Sequence, residues 1–252
     1  GSGSWEQASV VDAALASNFV FGQDLAISGD TIVAGDRLAF NQFDQLMGAA
    51  HVFDRDSGGT GEWGLTTTLR AFDGNEYDNF GRSVLINGDR VYVAAHAHEH
   101  SGLGNTAGAV FIFVRHAGGP DTWGLIVDSV SPPVSVAYWE FFGIGAVSGD
   151  NAVIGAYADD DAGNQSGSAY FFRRNNDDVN SWDLLHKVVL PDGEEDDGFG
   201  GAMSIEGDTA IVSARGDNIN GLDSGAAYVF RRDQGGANAW GHVATITPSD
   251  GG

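Results

Sequence analysis

Two acidic segments of the sequence carry the residue types that hard cations prefer. They run over residues 159–166 and 217–223 and are rich in Asp, Asn and Gly. Oxygen-bearing side chains on alternate residues, with a glycine that allows a sharp bend, suit a Ca²⁺ loop. Because the same residue types are the commonest turn formers, the alternative is a pair of solvated turns. The residues predicted to bind Ca²⁺ are Asp159, Asp161, Asn164, Asp217, Asn220 and Asp223.

A third segment is rich in histidine. His96, His98 and His100 alternate along the chain, so an extended segment would place their imidazoles on one face. Three imidazoles form a ligand set for Zn²⁺ or Ni²⁺. The alternative is an exposed loop that happens to contain histidines, since the two acidic segments contain none.

Aromatic side chains cluster near the middle of the chain, where Tyr138 and Trp139 precede Phe141 and Phe142. Rings of this kind pack against sugars and peptides, so Tyr138 and Trp139 are candidate ligand contacts. Catalytic signatures are absent from the sequence: it has no Gly-x-Ser-x-Gly, no His-Glu-x-x-His and no phosphate-binding glycine loop. We therefore expect a protein that is not an enzyme. A polysaccharide hydrolase or lyase is the alternative, because carboxylates are dense.

Four sequence markers repeat with a period of about 59 residues, which is the signature of a repeat architecture. One marker is a tryptophan, and a second is a Gly-Asp pair. A third is a Phe-Gly pair, and a fourth begins with glycine before an aromatic run. The tryptophans are Trp5, Trp63, Trp123, Trp182 and Trp240. The Phe-Gly pairs begin at Phe21, Phe80, Phe142 and Phe199.

Each period contains four short apolar runs and no sustained helical periodicity. The two-residue Gly-Asp link between the first two runs predicts a tight hairpin. Four antiparallel strands per radial repeat describe a propeller blade. The sequence predicts an all-β propeller of four-stranded blades, with four repeats and one extra strand at Trp5. Residues 1–4 are interpreted as a linker or tag remnant, and residues 5–252 as a single domain.

The repeated segments resemble a known family. Residues 21–35, 199–213 and 225–230 are similar to the bacterial FG-GAP repeat, which is related to the integrin α-subunit propeller. The resemblance implies a non-catalytic propeller, extracellular or on the cell surface, that serves in adhesion or ligand binding. Integrin-type Ca²⁺ loops lie between the first two strands of a blade. Here that link is only Gly-Asp, which is too short to surround a cation.

Composition narrows the partners. The formal net charge of −23 repels phosphate backbones, so we expect no nucleic-acid binding. No apolar run is long enough to insert into a membrane, and we expect a secreted or cell-surface protein with a protein or glycan ligand. Seventeen predicted strands exceed four blades by one. We expect a stretch of a longer array that closes as a small ring or pairs with a second copy into a larger propeller.

Overall fold

The computed structural model describes residues 20–99, 107–130, 142–175 and 181–249. These residues form four antiparallel sheets of four strands each, with no helix among them. Each sheet follows chain order as a meander and is therefore one propeller blade. The predicted all-β propeller with four-stranded blades is confirmed. The extra strand predicted at Trp5 lies outside the described residues.

The strand bounds follow the sequence period. Blade 1 contains β1 (Leu25–Ser28), β2 (Thr31–Asp36), β3 (Ala49–Gly59) and β4 (Glu62–Leu69). Blade 2 contains β5 (Phe80–Asn87), β6 (Arg90–Ala95), β7 (Ala109–Arg115) and β8 (Trp123–Val130). Blade 3 contains β9 (Ile144–Ser148), β10 (Asn151–Ala156), β11 (Ser168–Arg174) and β12 (Trp182–Val188). Blade 4 contains β13 (Phe199–Glu206), β14 (Thr209–Ala214), β15 (Ala226–Arg232) and β16 (Trp240–Ile246).

The Phe-Gly pairs hold successive blades together. Phe80, Phe142 and Phe199 are fully buried, each in an apolar cluster shared by its own blade and the preceding one. The following glycine allows the two backbones to approach. A Cβ on Gly200 would lie only 2.3 Å from the carbonyl oxygen of Ser168 in blade 3. A side chain at this position would therefore separate the blades.

The predicted Gly-Asp hairpins are present in all four blades. Their glycines have φ between 54° and 58°, the left-handed region that such turns require. The aspartate of each turn forms an ion pair with an arginine near the end of the third strand, such as Arg55 with Asp30 at 2.6 Å. Four of the eleven arginines thus repeat one structural contact.

The periodic tryptophans in the described residues stand at the start of the outermost strands. Trp240 stacks on Phe171 with ring centroids 4.8 Å apart, and Arg115 lies 4.6 Å above the Trp123 ring. These contacts make the tryptophans packing residues. No segment of the described chain forms a long apolar helix of the kind that crosses a bilayer.

Candidate functional site

The two acidic segments lie in equivalent loops between the second and third strands of blades 3 and 4. We call residues 157–167 the blade-3 loop, residues 215–225 the blade-4 loop, and residues 189–198 the joint between these blades. The joint lies between both loops. Gly198 N donates to Gln165 O at 3.0 Å, and Gly216 N donates to Asp197 O at 3.0 Å. The fold therefore brings the two loops together along one joint.

The two loops have the same internal hydrogen bonds. Asp159 Oδ1 accepts a hydrogen bond from Asp161 N at 2.9 Å, and Asp217 Oδ1 accepts one from Ile219 N at 2.8 Å. In each loop a backbone N–H also donates to the side chain five residues before it. Gln165 N donates to Asp160 Oδ1 in the blade-3 loop, and Asp223 N donates to Asn218 Oδ1 in the blade-4 loop. Side-chain oxygens here satisfy backbone N–H groups, as Asx turns do.

Of the six predicted Ca²⁺ ligands, two contact a common charged group. Asp159 and Asp161 both contact Lys187 Nζ, at 2.6 and 2.7 Å. Asn164 donates instead to Glu195 Oε1 at 3.1 Å, and Asn220 donates to the carbonyl oxygen of Pro248 at 2.6 Å. Across the described residues, no three acidic or histidine side chains are grouped to hold a metal ion. Ca²⁺ binding by these loops stays a prediction, with Asp217 and Asp223 in the blade-4 loop.

In blade 3 the loop aspartate is neutralised from within the chain. Asp159 is fully buried and accepts hydrogen bonds from Ser168 Oγ at 2.6 Å and Tyr170 OH at 3.2 Å. Burial favours the neutral carboxyl, but hydrogen bonds from Lys187 and Ser168 outweigh it and hold the pKa of Asp159 below its usual value. The pKa of Lys187 is raised: burial opposes its charge, but the bonds to Asp159 and Asp161 prevail.

In blade 4 none of the described residues pairs a cation with the equivalent aspartate. Asp217 is buried, and Tyr228 OH donates to its Oδ2. Thr245 stands beside Tyr228 in the strand register, where Lys187 stands beside Tyr170 in blade 3. A second carboxylate, Asp197 of the joint, is 3% exposed, and its Oδ2 accepts a hydrogen bond from Glu194 N at 2.7 Å. Blade 4 therefore buries two carboxylates where blade 3 buries an ion pair.

These carboxylates line a small pocket that adjoins a larger groove. The pocket has a volume of about 160 Å³ and is lined by acidic groups of the joint and the blade-4 loop. The groove, of about 560 Å³, runs between β12 and β16. Asp192 and Ile219 line both cavities. The groove wall includes His186, Tyr228, Trp240, His242 and Thr245.

The pocket is electrostatically strained. Burial raises the pKa of Asp197, and the nearby carboxylates of Asp217, Glu194 and Asp192 add to the shift, against a lowering by the Glu194 N–H. Burial also raises the pKa of the Tyr228 hydroxyl, together with its bond to Asp217. A protonated carboxyl or an added cation would relieve this repulsion.

The histidine segment has a different geometry from the extended one that the metal prediction requires. β6 ends at Ala95, and His98 N bonds back to Ala95 O at 3.1 Å, so the chain turns there. His98 Nδ1 lies 2.8 Å from Asp78 Oδ2 in the joint between blades 1 and 2. Burial lowers the pKa of His96 to about 3. His100, like Tyr138 and Trp139, lies outside the described residues, so these two site predictions stay predictions.

Sequence reasoning missed the residues that complete the site. Asp197 lies in an acidic stretch typical of turns, and Lys187 is the single lysine of the sequence, so neither residue carries a sequence motif of a binding site. Aligning the fourth strands of the repeats would have placed Lys187 opposite Thr245 and shown the difference. The tyrosine at the equivalent positions, Tyr170 and Tyr228, was a further available signal.

The four sheets define a propeller, and the blade-4 loop and the joint before it line an acidic pocket. The sequence pattern of the FG-GAP repeat matches residues 63–113, 140–172 and 182–230, more than half of the chain. The chain therefore belongs to the FG-GAP repeat family.

Solved structures share the propeller architecture. The periplasmic gluconolactonase of Pseudomonas aeruginosa superposes with a TM-score of 0.55 at 14% identity, over 90% of this chain and 58% of that one. A hypothetical selenium-binding protein from Sulfolobus tokodaii gives 0.52 at 9% identity, over 86% of this chain and 52% of that one. This chain thus spans little more than half the length of either. The computationally designed Ika4 protein gives 0.49 at 15% identity, over 90% of this chain and 99% of that one. A search of curated proteins found no match.

Proposed function

We propose that this chain is a non-catalytic propeller module, secreted or on a cell surface, that binds a protein or glycan ligand. The groove between β12 and β16 carries the proposal. It combines a volume of about 560 Å³ with aromatic and imidazole side chains and opens next to the acidic pocket. Apolar walls with a few convergent polar groups are typical of ligand sites.

The position of the groove supports this function. Its floor includes Tyr228 and Trp240, which are held in the core between blades 3 and 4, so the site rests on rigid strands. The loops and the joint at its end can vary without disturbing that core. Stabilisation by Ca²⁺ at the acidic loops belongs to the same proposal, and for the blade-4 loop it is the alternative occupant that the lysine titration below tests. Pairing with a second copy is a further way to stabilise the module.

Ligand screens with matched variants test the proposal. Wild-type protein is applied to a glycan array and used in pull-downs with extracellular proteins. The double variant His186→Ala/His242→Ala changes two exposed groove side chains. Val243→Ala, an exposed residue of β16 that does not line the groove, is the control. We expect the captured ligand to bind the double variant at least tenfold more weakly and the control normally. Capture of no ligand by wild-type protein, or equal binding by all three, would overturn the proposal.

A polysaccharide hydrolase or lyase is the second candidate, and one observation favours it. Asp197, whose pKa is raised, lies in a pocket with the second carboxylate of Asp217. Two neighbouring carboxyl groups can act as general acid and general base. The gluconolactonase likeness, at 14% identity, concerns the fold.

Product formation separates the two candidates. The protein is incubated with a panel of polysaccharides, and new reducing ends and unsaturated sugars are measured. Turnover that is abolished by Asp197→Asn or Asp217→Asn would replace the binding function with catalysis. Absence of turnover alongside ligand capture supports the binding function.

A further inference from the structure

Blades 3 and 4 differ at one strand position that decides whether their buried aspartate has a cation. In blade 3, Lys187 pairs in register with Tyr170, and in blade 4, Thr245 pairs in register with Tyr228. Both strand pairs also have a register shift at the same place, directly after the residue that follows the tyrosine. The shift falls between Phe171 and Phe172 in blade 3 and between Val229 and Phe230 in blade 4. The backbone pairing at the two positions is therefore equivalent, and threonine stands where blade 3 has lysine.

Lys187 shows how an alkylammonium group fits this constellation. Its Nζ lies 2.6 Å from Asp159 Oδ2 and 5.1 Å from the centre of the Tyr170 ring. The carboxylate and the ring face together satisfy the charge of the ammonium group. Asp161 adds a second carboxylate at 2.7 Å. Blade 4 has counterparts of the other two groups, Asp217 and Tyr228, and Ile219 stands where Asp161 does.

Blade 4 has a surplus of negative charge and an unused acceptor. Asp197 is 3% exposed, and its Oδ1 has no hydrogen-bond partner among the described residues. This residue lines the pocket together with Asp217, Asp192 and Glu194. None of the ion pairs in the described chain includes Asp197 or Asp217. An unpaired buried acceptor beside a second carboxylate calls for a cation from outside the blade.

The adjoining groove provides the route for that cation. Tyr228 and Trp240 line it, and Thr245 occupies the place from which Lys187 reaches inward in blade 3. An apolar passage that ends on carboxylates suits a chain of methylene groups with a terminal ammonium group. A bare metal ion would make no use of the aromatic wall.

We propose that the blade-4 pocket binds a lysine side chain of a protein ligand, with its ammonium group between Asp197 and Asp217. This inference rests on the proposed binding function and narrows its ligand to a protein with an exposed lysine. The net charge of −23 steers a basic partner toward the surface. The ammonium group approaches Tyr228 as Lys187 Nζ approaches the Tyr170 ring.

Calorimetric titration with a lysine analogue tests the inference. The probe is Nα-acetyllysine methylamide, and its Nε-acetylated form, which lacks the charge, is the matched control. We expect the probe to bind wild-type protein with a Kd of about 1 mM, which is typical of a ligand of this size. Thr245→Lys fills the pocket from within and should weaken binding at least tenfold, as should Asp197→Asn. Val243→Lys adds the same charge on β16 at a residue that lines neither cavity, and should bind like wild type.

Three results would overturn the inference. One is no binding of the probe to wild-type protein, and another is equal binding of the acetylated control. The third is tenfold tighter binding of cadaverine or of Ca²⁺ than of the probe, which would assign the pocket to a free amine or a metal. If a captured ligand still depends on His186 and His242 while the probe does not bind, the proposed function stands and this inference fails.

Discussion

Blades 3 and 4 place the same loop and the same aspartate–tyrosine pair in two electrostatic environments. Blade 3 surrounds Asp159 with Lys187, Ser168 and Tyr170, so its carboxylate is fully satisfied. Blade 4 retains the tyrosine and has threonine in place of the lysine, and the joint carboxylate Asp197 lies in the pocket with its loop aspartate. The difference teaches that a repeat can keep an aspartate–tyrosine pair and change its electrostatic environment through the residues around it.

Blade 2 provides a third version of the same position. Its loop carries His98 where blades 3 and 4 carry aspartate, and His98 pairs with the joint residue Asp78 at 2.8 Å. Asp78 corresponds to Asp197, because each carboxylate accepts a hydrogen bond from the backbone N–H of the residue three positions before it. The joint carboxylate of blade 2 thus has a partner that the joint carboxylate of blade 4 lacks.

The largest effect is expected from removing the internal cation of blade 3. Lys187→Met retains the length of the side chain but leaves Asp159 as an uncompensated buried carboxylate. We expect the free energy of unfolding to fall by about 3 kcal/mol, as for other broken buried pairs. Urea denaturation measures it. Thr245→Met makes a related change in blade 4, where no cation is lost, and should stay within about 0.5 kcal/mol. Equal losses in the two variants would break the comparison.

Introducing the lysine of blade 3 into blade 4 should raise the free energy of unfolding rather than lower it. In Thr245→Lys, the new ammonium group can bond to Asp217 and offset the charge of Asp197. We expect the free energy of unfolding to rise by about 2 kcal/mol, the scale of hydrogen bonds to charged groups. Thermal denaturation against the Thr245→Met variant separates the charge from the side-chain stem. A lower melting temperature for the lysine variant would show that the two positions are not equivalent.

The tyrosine hydroxyls should differ in importance. Asp217 has Tyr228 as its one described side-chain donor, whereas Asp159 keeps Lys187 and Ser168 if Tyr170 is lost. Tyr228→Phe should therefore cost about 1 kcal/mol more than Tyr170→Phe. Chemical denaturation of both variants under one set of conditions gives the difference. A larger cost in blade 3 would contradict the account.

The smallest effect, and the most diagnostic, depends on pH. The folded-state pKa of Asp197 is raised, so the folded protein holds this proton more tightly than the unfolded chain does. Its contribution to stability is present in acid and is lost as pH rises through the folded-state pKa. Asp197→Asn removes that loss, while Asp192, Glu194 and Asp217 remain. Its melting temperature should match wild type near pH 3 and exceed it by a few degrees at pH 7.

Asp159 of blade 3 should show the opposite pH dependence in the same series of measurements. The folded-state pKa of Asp159 is lowered, so its contribution to stability is present at neutral pH and is lost as pH falls. Asp159→Asn should therefore melt below wild type at pH 7, with the gap closing in acid. If both variants shifted the melting temperature in the same direction at pH 7, the two carboxylates would not differ as described.

The sequence predicts the fold of this protein far better than its site. Strand order, hairpin turns and the buried Phe80, Phe142 and Phe199 follow from local patterns that recur every period. The Asp159–Lys187 contact joins a loop to an outer strand 28 residues later, across a register shift in the sheet. No local pattern specifies such a contact.

The sequence singles out the two acidic segments, but their chemistry depends on the fold. Asp159 and Asp217 are among the predicted ligands, yet their Oδ1 atoms accept hydrogen bonds from backbone N–H groups within the loop. Asp197, a turn residue by its sequence, becomes part of the pocket only because the joint passes beside the blade-4 loop. Burial and neighbouring side chains decide whether such an aspartate supports a turn or lines a pocket, and neither can be read from the sequence.

The pKa of Asp197 tests the central claim most directly. Carbon-detected NMR of the side-chain carboxyl, assigned with Asp197→Asn, follows its titration in wild-type protein and in Thr245→Lys. The account predicts that Asp197 titrates above the ordinary aspartate value of about 3.9 in wild-type protein and at a lower pH in the lysine variant. A wild-type value at or below the ordinary one, unchanged by the new lysine, would contradict an acidic pocket that lacks its cation.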